Sequence, residues 1–335
     1  MTAQRKLRWG IVSTAKIGLT KVIPGIRKSP SSEIVAIASR DLPRAEAAAR
    51  QMGIPRAYGS YEELFADPEI DAIYNPLPNH LHVPITLAAA RAGKHVLCEK
   101  PVALDAAEAA QLREAPRDRL IYEAFMVRFH PQWIRAREIV RSGELGEVRA
   151  IRVVFAYRNM DPANVRNQAD IGGGGLMDIG CYAIISGRFL FEAEPSRVVT
   201  LMDRDPAFGT DRLTSALADF GQDRQLVFTC STQLVPQQRV EVLGTNGRLE
   251  IAIPFNALPD TPSAITIDTG ASLDGTLARR EIIRACDQYT EQAEAFAQAV
   301  FSGRSLEWGV EDAIANMKVI DAIFRSEKSG GWETV

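Results

Sequence analysis

The stretch from Trp9 to Gly18, WGIVSTAKIG, decides how the first third of the chain is interpreted. It ends a short apolar run and comes before a segment with helical spacing. In the G-x-G-x-x-G frame of a dinucleotide-binding loop, the three glycine positions fall on Ser13, Ala15 and Gly18. Because two of the three are not glycine, this stretch alone fits a phosphate-binding loop with replaced glycines and an ordinary strand-to-helix turn equally well.

The first third of the chain alternates between apolar, β-branched runs and helical patterns. The runs lie at Leu7–Ser13, Ile34–Ser39, Ala72–Asn75, His95–Glu99 and Leu120–Tyr122. The helical patterns lie at Ile17–Arg27, Arg44–Met52, Tyr61–Ala66, His82–Ala92 and Ala106–Ala115. This alternation predicts a doubly wound parallel sheet, the Rossmann arrangement, whose ligands bind beyond the carboxyl ends of the strands. The loops after Val12, Ser39, Asn75 and Glu99 are therefore the candidate site.

After about Phe125 the pattern changes to strands without intervening helices. A helix at Pro131–Arg141 precedes the alternating run EVRAIRVVFAYR, and a second helix is expected at Leu176–Phe191. The further predicted strands lie at Val198–Met202, Ser215–Phe220, Gln225–Ser231, Gln238–Leu243 and Arg248–Ile253. Two late helices are expected at Arg284–Phe301 and Glu311–Ser326. We predict a nucleotide-binding domain at 1–123 and, at 124–335, an α+β domain with a large, mostly antiparallel open sheet for substrate binding and oligomerisation.

Composition narrows the class of protein. The chain has 335 residues, enough for two domains, and a net charge of −3, which gives no reason to expect a nucleic-acid or anionic-membrane partner. Its four cysteines are widely spaced, as is usual in a reducing compartment. The basic N-terminus lacks a long apolar run, and no apolar stretch approaches the length of a membrane helix. We therefore expect a cytoplasmic protein.

The end of the second predicted strand indicates which dinucleotide binds. An NAD site places Asp or Glu there for the ribose 2′-hydroxyl. Here Ser39 occupies that place, followed by Arg40 and, one helical turn later, Arg44. A hydroxyl and guanidinium groups suit a 2′-phosphate, so this position favours NADP over NAD. The alternative is that both arginines are solvated charges at the start of a helix.

A lysine follows the fifth predicted strand in the stretch CEKP, Cys98 to Pro101. A lysine at the carboxyl end of a buried parallel strand is costly unless it has a partner or a role, because burial disfavours its charge. Lys100 could anchor a substrate hydroxyl and stabilise a nearby phenolate or alkoxide. The alternative is a lysine that simply leaves the sheet for solvent.

A glycine run opens the helix of the second domain in the stretch GGGGLMDIGCY, Gly172 to Tyr182. Asp178 and Tyr182 lie four residues apart and therefore on one helical face. A carboxylate and a phenol placed in this way can bind one polyol together, and a nearby cation would make the phenol a useful acid or base. The alternative is that Asp178 caps the helix while Tyr182 packs in the core.

In combination, these motifs resemble the glucose–fructose oxidoreductase/inositol dehydrogenase-like family of NAD(P)-dependent sugar and polyol dehydrogenases. The resemblance covers nearly the whole chain and rests on the degenerate fingerprint loop, NPLPNHLH after the fourth strand, EKP after the fifth and GGGGLMDIGCY. The D-x-G-x-Y form and the segment MVRFHPQW are similar to the branch of dihydrodiol dehydrogenases and NADP-dependent xylose dehydrogenases. The resemblance implies a CH–OH dehydrogenase that acts on a sugar, polyol or cyclic diol.

The resemblance also implies residue roles. Tyr182 would move the proton, Lys100 would lower its pKa and hold the reacting oxygen, and Asp178 would bind a neighbouring hydroxyl. The residues expected to bind the cofactor are Ser13, Thr14, Ala15, Lys16, Ile17, Ser39, Arg40, Arg44, Asn75, Leu77, Pro78, Asn79, His80, Glu99 and Lys100. Those expected on the substrate side, besides Asp178 and Tyr182, are Arg128, His130, Tyr157 and Arg158.

Three further expectations follow. His80 and His82 diverge on a helix and the chain has four histidines, so we expect no catalytic metal. Family members commonly form dimers or tetramers through the second-domain sheet, which implies a homodimer or homotetramer here. The alternative function is a regulator or binding protein that senses NADP on the same fold without turnover, although such members generally lack the lysine or the acid–base residue that this chain has.

Overall fold

The computed structural model describes residues 5–272 and 274–335, which form two compact units. The first unit contains the described residues up to Met126 together with Asp287–Ile314. The second contains the described residues of Val127–Cys286 and Ala315–Val335. The stretch Asp287–Ile314, which the sequence-based division leaves in segment 124–335, thus lies in the first unit.

The first unit is built on a six-stranded parallel sheet. Its strands are β1 (Leu7–Val12), β2 (Ser32–Ala38), β3 (Arg56–Tyr58), β4 (Ala72–Asn75), β5 (His95–Cys98) and β6 (Ile121–Glu123). They pair in parallel in the order β3-β2-β1-β4-β5-β6. This is the order of the doubly wound dinucleotide-binding sheet, with its reversal between β1 and β4. The predicted fold of the N-terminal domain is confirmed.

Strand β1 lies in the middle of this sheet and is buried along almost its whole length. Trp9 and Val12 are fully buried and Ile11 nearly so, which explains why the strand reads as a continuous apolar run rather than an alternating one. A Cβ at Gly10 would lie 3.0 Å from the Ile73 side chain, so glycine allows tight packing here.

Helices join the parallel strands. They are α1 (Ile23–Lys28), α2 (Leu42–Met52), α3 (Tyr61–Ala66), α4 (His82–Arg91) and α5 (Ala106–Ala110). A wider, π-helical turn at Gly18–Val22 precedes α1, and a 3₁₀ turn at Gln111–Glu114 follows α5. The helices predicted at these two places are therefore irregular at one end, because periodicity alone does not distinguish a regular turn from a wider or tighter one.

The second unit contains a nine-stranded sheet. Its strands are β7 (Val148–Arg158), β8 (Arg197–Arg204), β9 (Asp211–Asp219), β10 (Gln225–Ser231), β11 (Gln233–Gly244), β12 (Arg248–Ile251), β13 (Ser263–Asp268), β14 (Arg279–Ile283) and β15 (Glu333–Thr334). Their order is β14-β13-β12-β11-β7-β10-β9-β8-β15, and every pair except β7 with β10 is antiparallel. This confirms the predicted mostly antiparallel sheet. Strands β13 to β15 were not predicted.

Four further helices complete the described chain: α6 (Pro131–Arg141), α7 (Cys181–Phe191), α8 (Gln288–Ser302) and α9 (Val310–Ser329). Every residue of α7 is buried, and a π-helical turn at Leu176–Gly180 precedes it. Helix α8 belongs to the first unit, where the Phe296 ring lies 5.1 Å from the Trp9 ring. It begins at Gln288, later than predicted, because the Asp287 carboxylate caps it by accepting from Tyr289 N. No helix among residues 5–272 and 274–335 has the length and apolar character needed to cross a membrane.

Candidate active site

The loop after β1 makes a turn that normally requires glycine. Ser13 adopts φ +64°, in the left-handed region, and its Oγ accepts a hydrogen bond from Ala15 N at 3.3 Å. Ser13 falls on the first glycine position of the fingerprint frame. The loop thus keeps the backbone turn of the fingerprint with serine in place of glycine, and the amide groups at the start of the following helical segment can meet a phosphate.

Two exposed arginines and one aspartate follow β2, and the carboxylate of the aspartate caps a helix. Asp41 caps α2, since its Oδ1 accepts from Arg44 N at 3.3 Å, and the Ser39 hydroxyl accepts from Asp41 N at 3.2 Å. Arg40 is exposed. Arg44 is exposed as well. The residues here therefore present guanidinium groups rather than a carboxylate, which fits a ribose 2′-phosphate.

The loop after β4 is fastened by buried polar contacts. Asn75 is fully buried; its Nδ2 donates to His82 O at 3.2 Å and to Thr86 Oγ1 at 3.3 Å, and its Oδ1 accepts from Leu77 N at 3.3 Å. Asn75 therefore shapes the loop. His80 is half-buried, and its Nδ1 is buried without a hydrogen-bond partner among the described residues. A buried ring nitrogen of this kind fits a ligand that supplies the missing partner.

His82 links the two loops that follow β4 and β5. Its ring nitrogens lie 2.7 Å from the Pro101 carbonyl oxygen and 2.6 Å from that of Leu77, and the side chain is 1% exposed. Burial lowers the pKa of His82, whereas the two carbonyl oxygens oppose this shift, because they only accept and therefore favour a ring protonated on both nitrogens. This role was not predicted, because the i, i+2 spacing from His80 raised only the question of a metal.

The loop after β5 carries a half-buried Glu99 and Lys100. Glu99 Oε1 accepts from the Tyr74 hydroxyl at 2.7 Å, and Glu99 Oε2 accepts from Lys100 N at 3.4 Å. Tyr74 is fully buried, and burial together with the Glu99 carboxylate raises its pKa well above the usual value. Glu99 and Lys100 are thus held at the carboxyl edge of the sheet, where the fold places its ligands.

The glycine run of the second unit permits two close approaches. A Cβ at Gly173 would lie 2.6 Å from the Gln168 carbonyl oxygen, and one at Gly174, whose φ is +124°, would lie 2.1 Å from Asp211 Oδ1. Asp211 is buried and accepts from Leu176 N at 2.7 Å, so it caps the helical segment that bears Asp178 and Tyr182. The glycines therefore bring the preceding loop and a buried carboxylate up to the start of this segment.

Asp178 forms the centre of a polar cluster in the second unit. Its Oδ2 accepts from the Tyr157 hydroxyl at 2.6 Å and pairs with Arg166 Nε at 2.9 Å. Burial and the Asp178 charge raise the pKa of Tyr157, so this phenol remains a proton donor to the carboxylate at neutral pH. Arg166 was not among the predicted site residues. It lies in the loop folded back by Gly174 N, which donates to the Arg166 carbonyl.

Tyr182 lies at the start of α7 with its ring in an aromatic cluster. It is 5% exposed, and its ring centroid lies 5.9 Å from that of Phe155 and 5.4 Å from that of Phe255. The ring therefore packs in the core, as the alternative interpretation held, and the substrate-side role of Tyr182 stays a prediction.

The remaining predicted substrate-side residues lie in different surroundings. Arg128 and His130 are buried, and His130 Nδ1 accepts from Gln132 N at 3.1 Å, which caps α6. Burial, together with Arg284, lowers the pKa of His130 to about 4. Arg158, at the end of β7, is exposed. No group of three or more His, Cys, Asp or Glu in the described part of the chain is arranged to hold a metal ion.

Family models match both parts of the chain. Residues 7–120 match the family described as an oxidoreductase family with an NAD-binding Rossmann fold, and residues 133–250 match the GFO/IDH/MocA C-terminal domain. The chain belongs to the GFO/IDH/MocA oxidoreductase family. The resemblance predicted from the motifs is confirmed, and so is the prediction of an NAD(P)-dependent dehydrogenase.

Individual members of the GFO/IDH/MocA family match almost end to end. The oxidoreductase ORF334 of Rhizobium meliloti is 50% identical, over 98% of this chain and 99% of that protein. The NADP(+)-dependent D-xylose 1-dehydrogenase 2 of Haloferax volcanii is 40% identical, over 97% of this chain and 98% of that protein. One similar solved structure is KijD10, a 3-ketoreductase from Actinomadura kijaniata in complex with NADP and TDP-benzene. It superposes with a TM-score of 0.89 at 29% identity, over 96% of this chain and 98% of that one.

Proposed function

We propose that this GFO/IDH/MocA protein is an NADP-dependent dehydrogenase for a secondary or anomeric hydroxyl of a sugar, polyol or cyclic diol, with D-xylose and related aldoses as the first candidates. The observation that carries the proposal is the Asp178 carboxylate, held by Tyr157 and Arg166 on the segment that leads into Tyr182. A fixed carboxylate and a phenol in this order suit a substrate with adjacent hydroxyls. The identity to a D-xylose dehydrogenase over nearly the full length supports an aldose.

NADP fits the residues of the first unit. Exposed Arg40 and Arg44 suit the 2′-phosphate, since Asp41 is engaged as a helix cap and does not compete for the ribose. The turn at Ser13 leaves amide groups for the pyrophosphate. We assign the nicotinamide side to Leu77, Pro78, Asn79 and His80. When bound, NADP supplies the hydride acceptor or donor. The relatives named for NADP support this choice over NAD.

The residues of the chain would then orient the substrate and move a proton. Tyr182 takes the hydroxyl proton in oxidation and returns it in reduction. Lys100 holds the reacting oxygen, and its positive charge favours the phenolate form of the tyrosine. Asp178 binds a neighbouring hydroxyl and so fixes which carbon reacts. Orientation of this kind contributes much of the rate in such reactions.

An absorbance assay at the nicotinamide band tests the proposal. NAD and NADP are each combined with a panel of aldoses, inositols and dihydrodiols. We expect turnover with NADP and at least one aldose, with D-xylose among the best substrates. NADP binding without turnover on any member of the panel would contradict the proposal and indicate a regulator; a clear preference for NAD would contradict the cofactor assignment.

We further propose that the protein is a homodimer or homotetramer that associates through the open face of the nine-stranded sheet. Leu201 on β8 is 81% exposed and Val227 on β10 is 43% exposed. Both lie on the face opposite the buried Val198 and Leu226, so an apolar surface remains uncovered on this face. Sedimentation velocity of wild type and Leu201→Glu tests this: we expect the variant to dissociate, whereas a monomeric wild type would contradict the proposal.

A further inference from the structure

The connection between β12 and β13 turns a phenylalanine into the core of the second unit. Ile253 in this connection is 47% exposed, whereas Phe255, two residues later, is fully buried. Nothing in the sequence assigns the segment Ile253–Asn256 to the active site, because it lies far along the chain from the motif residues. Phe255 in this segment nevertheless contacts the Tyr182 ring.

Five hydrogen bonds fasten this segment from two sides. Gln238 on β11 accepts with its Oε1 from Phe255 N at 2.9 Å and from Asn256 N at 3.0 Å. On α6, Gln132 Nε2 donates to the carbonyl oxygens of Ile253 and Pro254 at 3.0 and 3.2 Å, and Trp133 Nε1 donates to Pro254 O at 2.8 Å. Backbone fastened at both ends in this way leaves the Phe255 ring little freedom to move.

The Phe255 ring packs against the Tyr182 ring. Their centroids lie 5.4 Å apart with the planes at 52°, and Phe255 also stacks on Phe155 at 4.6 Å and on Trp133 at 6.0 Å. Phe155 contacts Tyr182 edge-on at 5.9 Å. Two aromatic rings that contact each other thus confine the Tyr182 ring, and the orientation of that ring depends on both of them.

We propose that Phe255 is a positioning residue for Tyr182 and that the hydrogen bonds to the segment Ile253–Asn256 exist to hold its ring in place. The inference rests on the proposed function, in which Tyr182 moves the proton. A proton acceptor must meet the reacting hydroxyl at hydrogen-bond distance, and small misplacements lower the rate steeply. Phe255 touches the proton-transfer residue and acts through it.

The test combines Phe255→Leu with Tyr182→Phe in a double-mutant cycle. We expect Phe255→Leu to lower kcat by about tenfold, with the Kd for NADP unchanged. In the Tyr182→Phe background the same substitution should change kcat by less than about twofold, because the residue through which it acts is already disabled. Phe220→Leu is the matched control: Phe220 is also buried in the second unit and packs on Phe191, and this variant should keep the wild-type kcat.

Gln238→Met tests the same idea without opening a cavity in the aromatic cluster. It removes the acceptor for Phe255 N and Asn256 N, and we expect a several-fold fall in kcat. This variant keeps the test informative if Phe255→Leu does not fold, as judged by circular dichroism and thermal unfolding.

The outcomes separate the two proposals. If no member of the substrate panel is turned over, the proposed function is wrong; if Tyr182→Phe keeps wild-type turnover, the proton-transfer role of Tyr182 is wrong. If Tyr182→Phe is impaired but Phe255→Leu and Gln238→Met both keep the wild-type kcat, only the positioning inference is wrong. It is also wrong if the losses from Phe255→Leu and Tyr182→Phe multiply, since Phe255 would then act independently of Tyr182.

Discussion

A buried histidine should make the stability of this protein fall between pH 7 and pH 5. His130 is 1% exposed, its Nδ1 accepts from Gln132 N and is therefore unprotonated in the folded chain, and burial lowers its pKa from 6.5 to about 4. The unfolded chain therefore binds protons between these values while the folded chain does not. Stability from His130 is fully present above about pH 6.5 and is lost as the pH falls towards 4. At pH 5 the linkage amounts to about 2 kcal/mol for this histidine.

Urea unfolding followed by tryptophan fluorescence at pH 7 and pH 5 measures this effect. Wild type should lose about 2 kcal/mol of unfolding free energy between the two pH values from His130. In His130→Gln the loss should be smaller by that amount. Equal losses in wild type and His130→Gln would refute the reasoning, because they would show that the ring is not held neutral by burial.

Two further predictions concern the cofactor site. Arg40→Ala should lower kcat/KM for NADP by about 10- to 100-fold, the range expected for a lost charge-assisted hydrogen bond, and should leave kcat/KM for NAD nearly unchanged. Steady-state kinetics with both cofactors measure these values. Equal falls in kcat/KM for both cofactors would contradict the prediction. Ser13→Gly should be more stable than Ser13→Ala by about 1 kcal/mol in urea unfolding, because both lose the hydroxyl but only glycine is unstrained at φ +64°. An alanine variant as stable as the glycine variant would contradict the assigned turn.

Much of the first unit follows from the sequence because its signals are local. The parallel strands are buried on both faces, so they appear as continuous apolar runs such as the one that ends at Val12. The helix expected at Tyr61–Ala66 has these bounds in the structure, whereas α2 begins at Leu42 rather than at the expected Arg44, because Asp41 caps it. Strand β14, RREII, was not predicted. It is an edge strand that pairs only with β13, and three of its five residues are charged, so it lacks the apolar pattern of a central strand.

The candidate site is only partly visible in the sequence, because its supports come from distant residues. Asp178 and Tyr182 could be selected from their spacing, but Arg166 is paired with Asp178 through a loop of no recognisable motif. Asp211 caps their helical segment from another strand, and the sequence showed Gly174, which allows this close approach, only as one residue of a glycine run. Such contacts depend on strand register and loop closure, which one sequence does not reveal.

The most direct test of the proposed function is the rate of nicotinamide reduction with NADP and an accepted aldose, compared in wild type, Tyr182→Phe and Lys100→Ala. We predict that each substitution lowers kcat by about 100-fold or more, while the Kd for NADP, measured by fluorescence titration, stays within a few-fold of wild type. Wild-type turnover in Tyr182→Phe would contradict the assignment of the proton-transfer residue and with it the proposed mechanism.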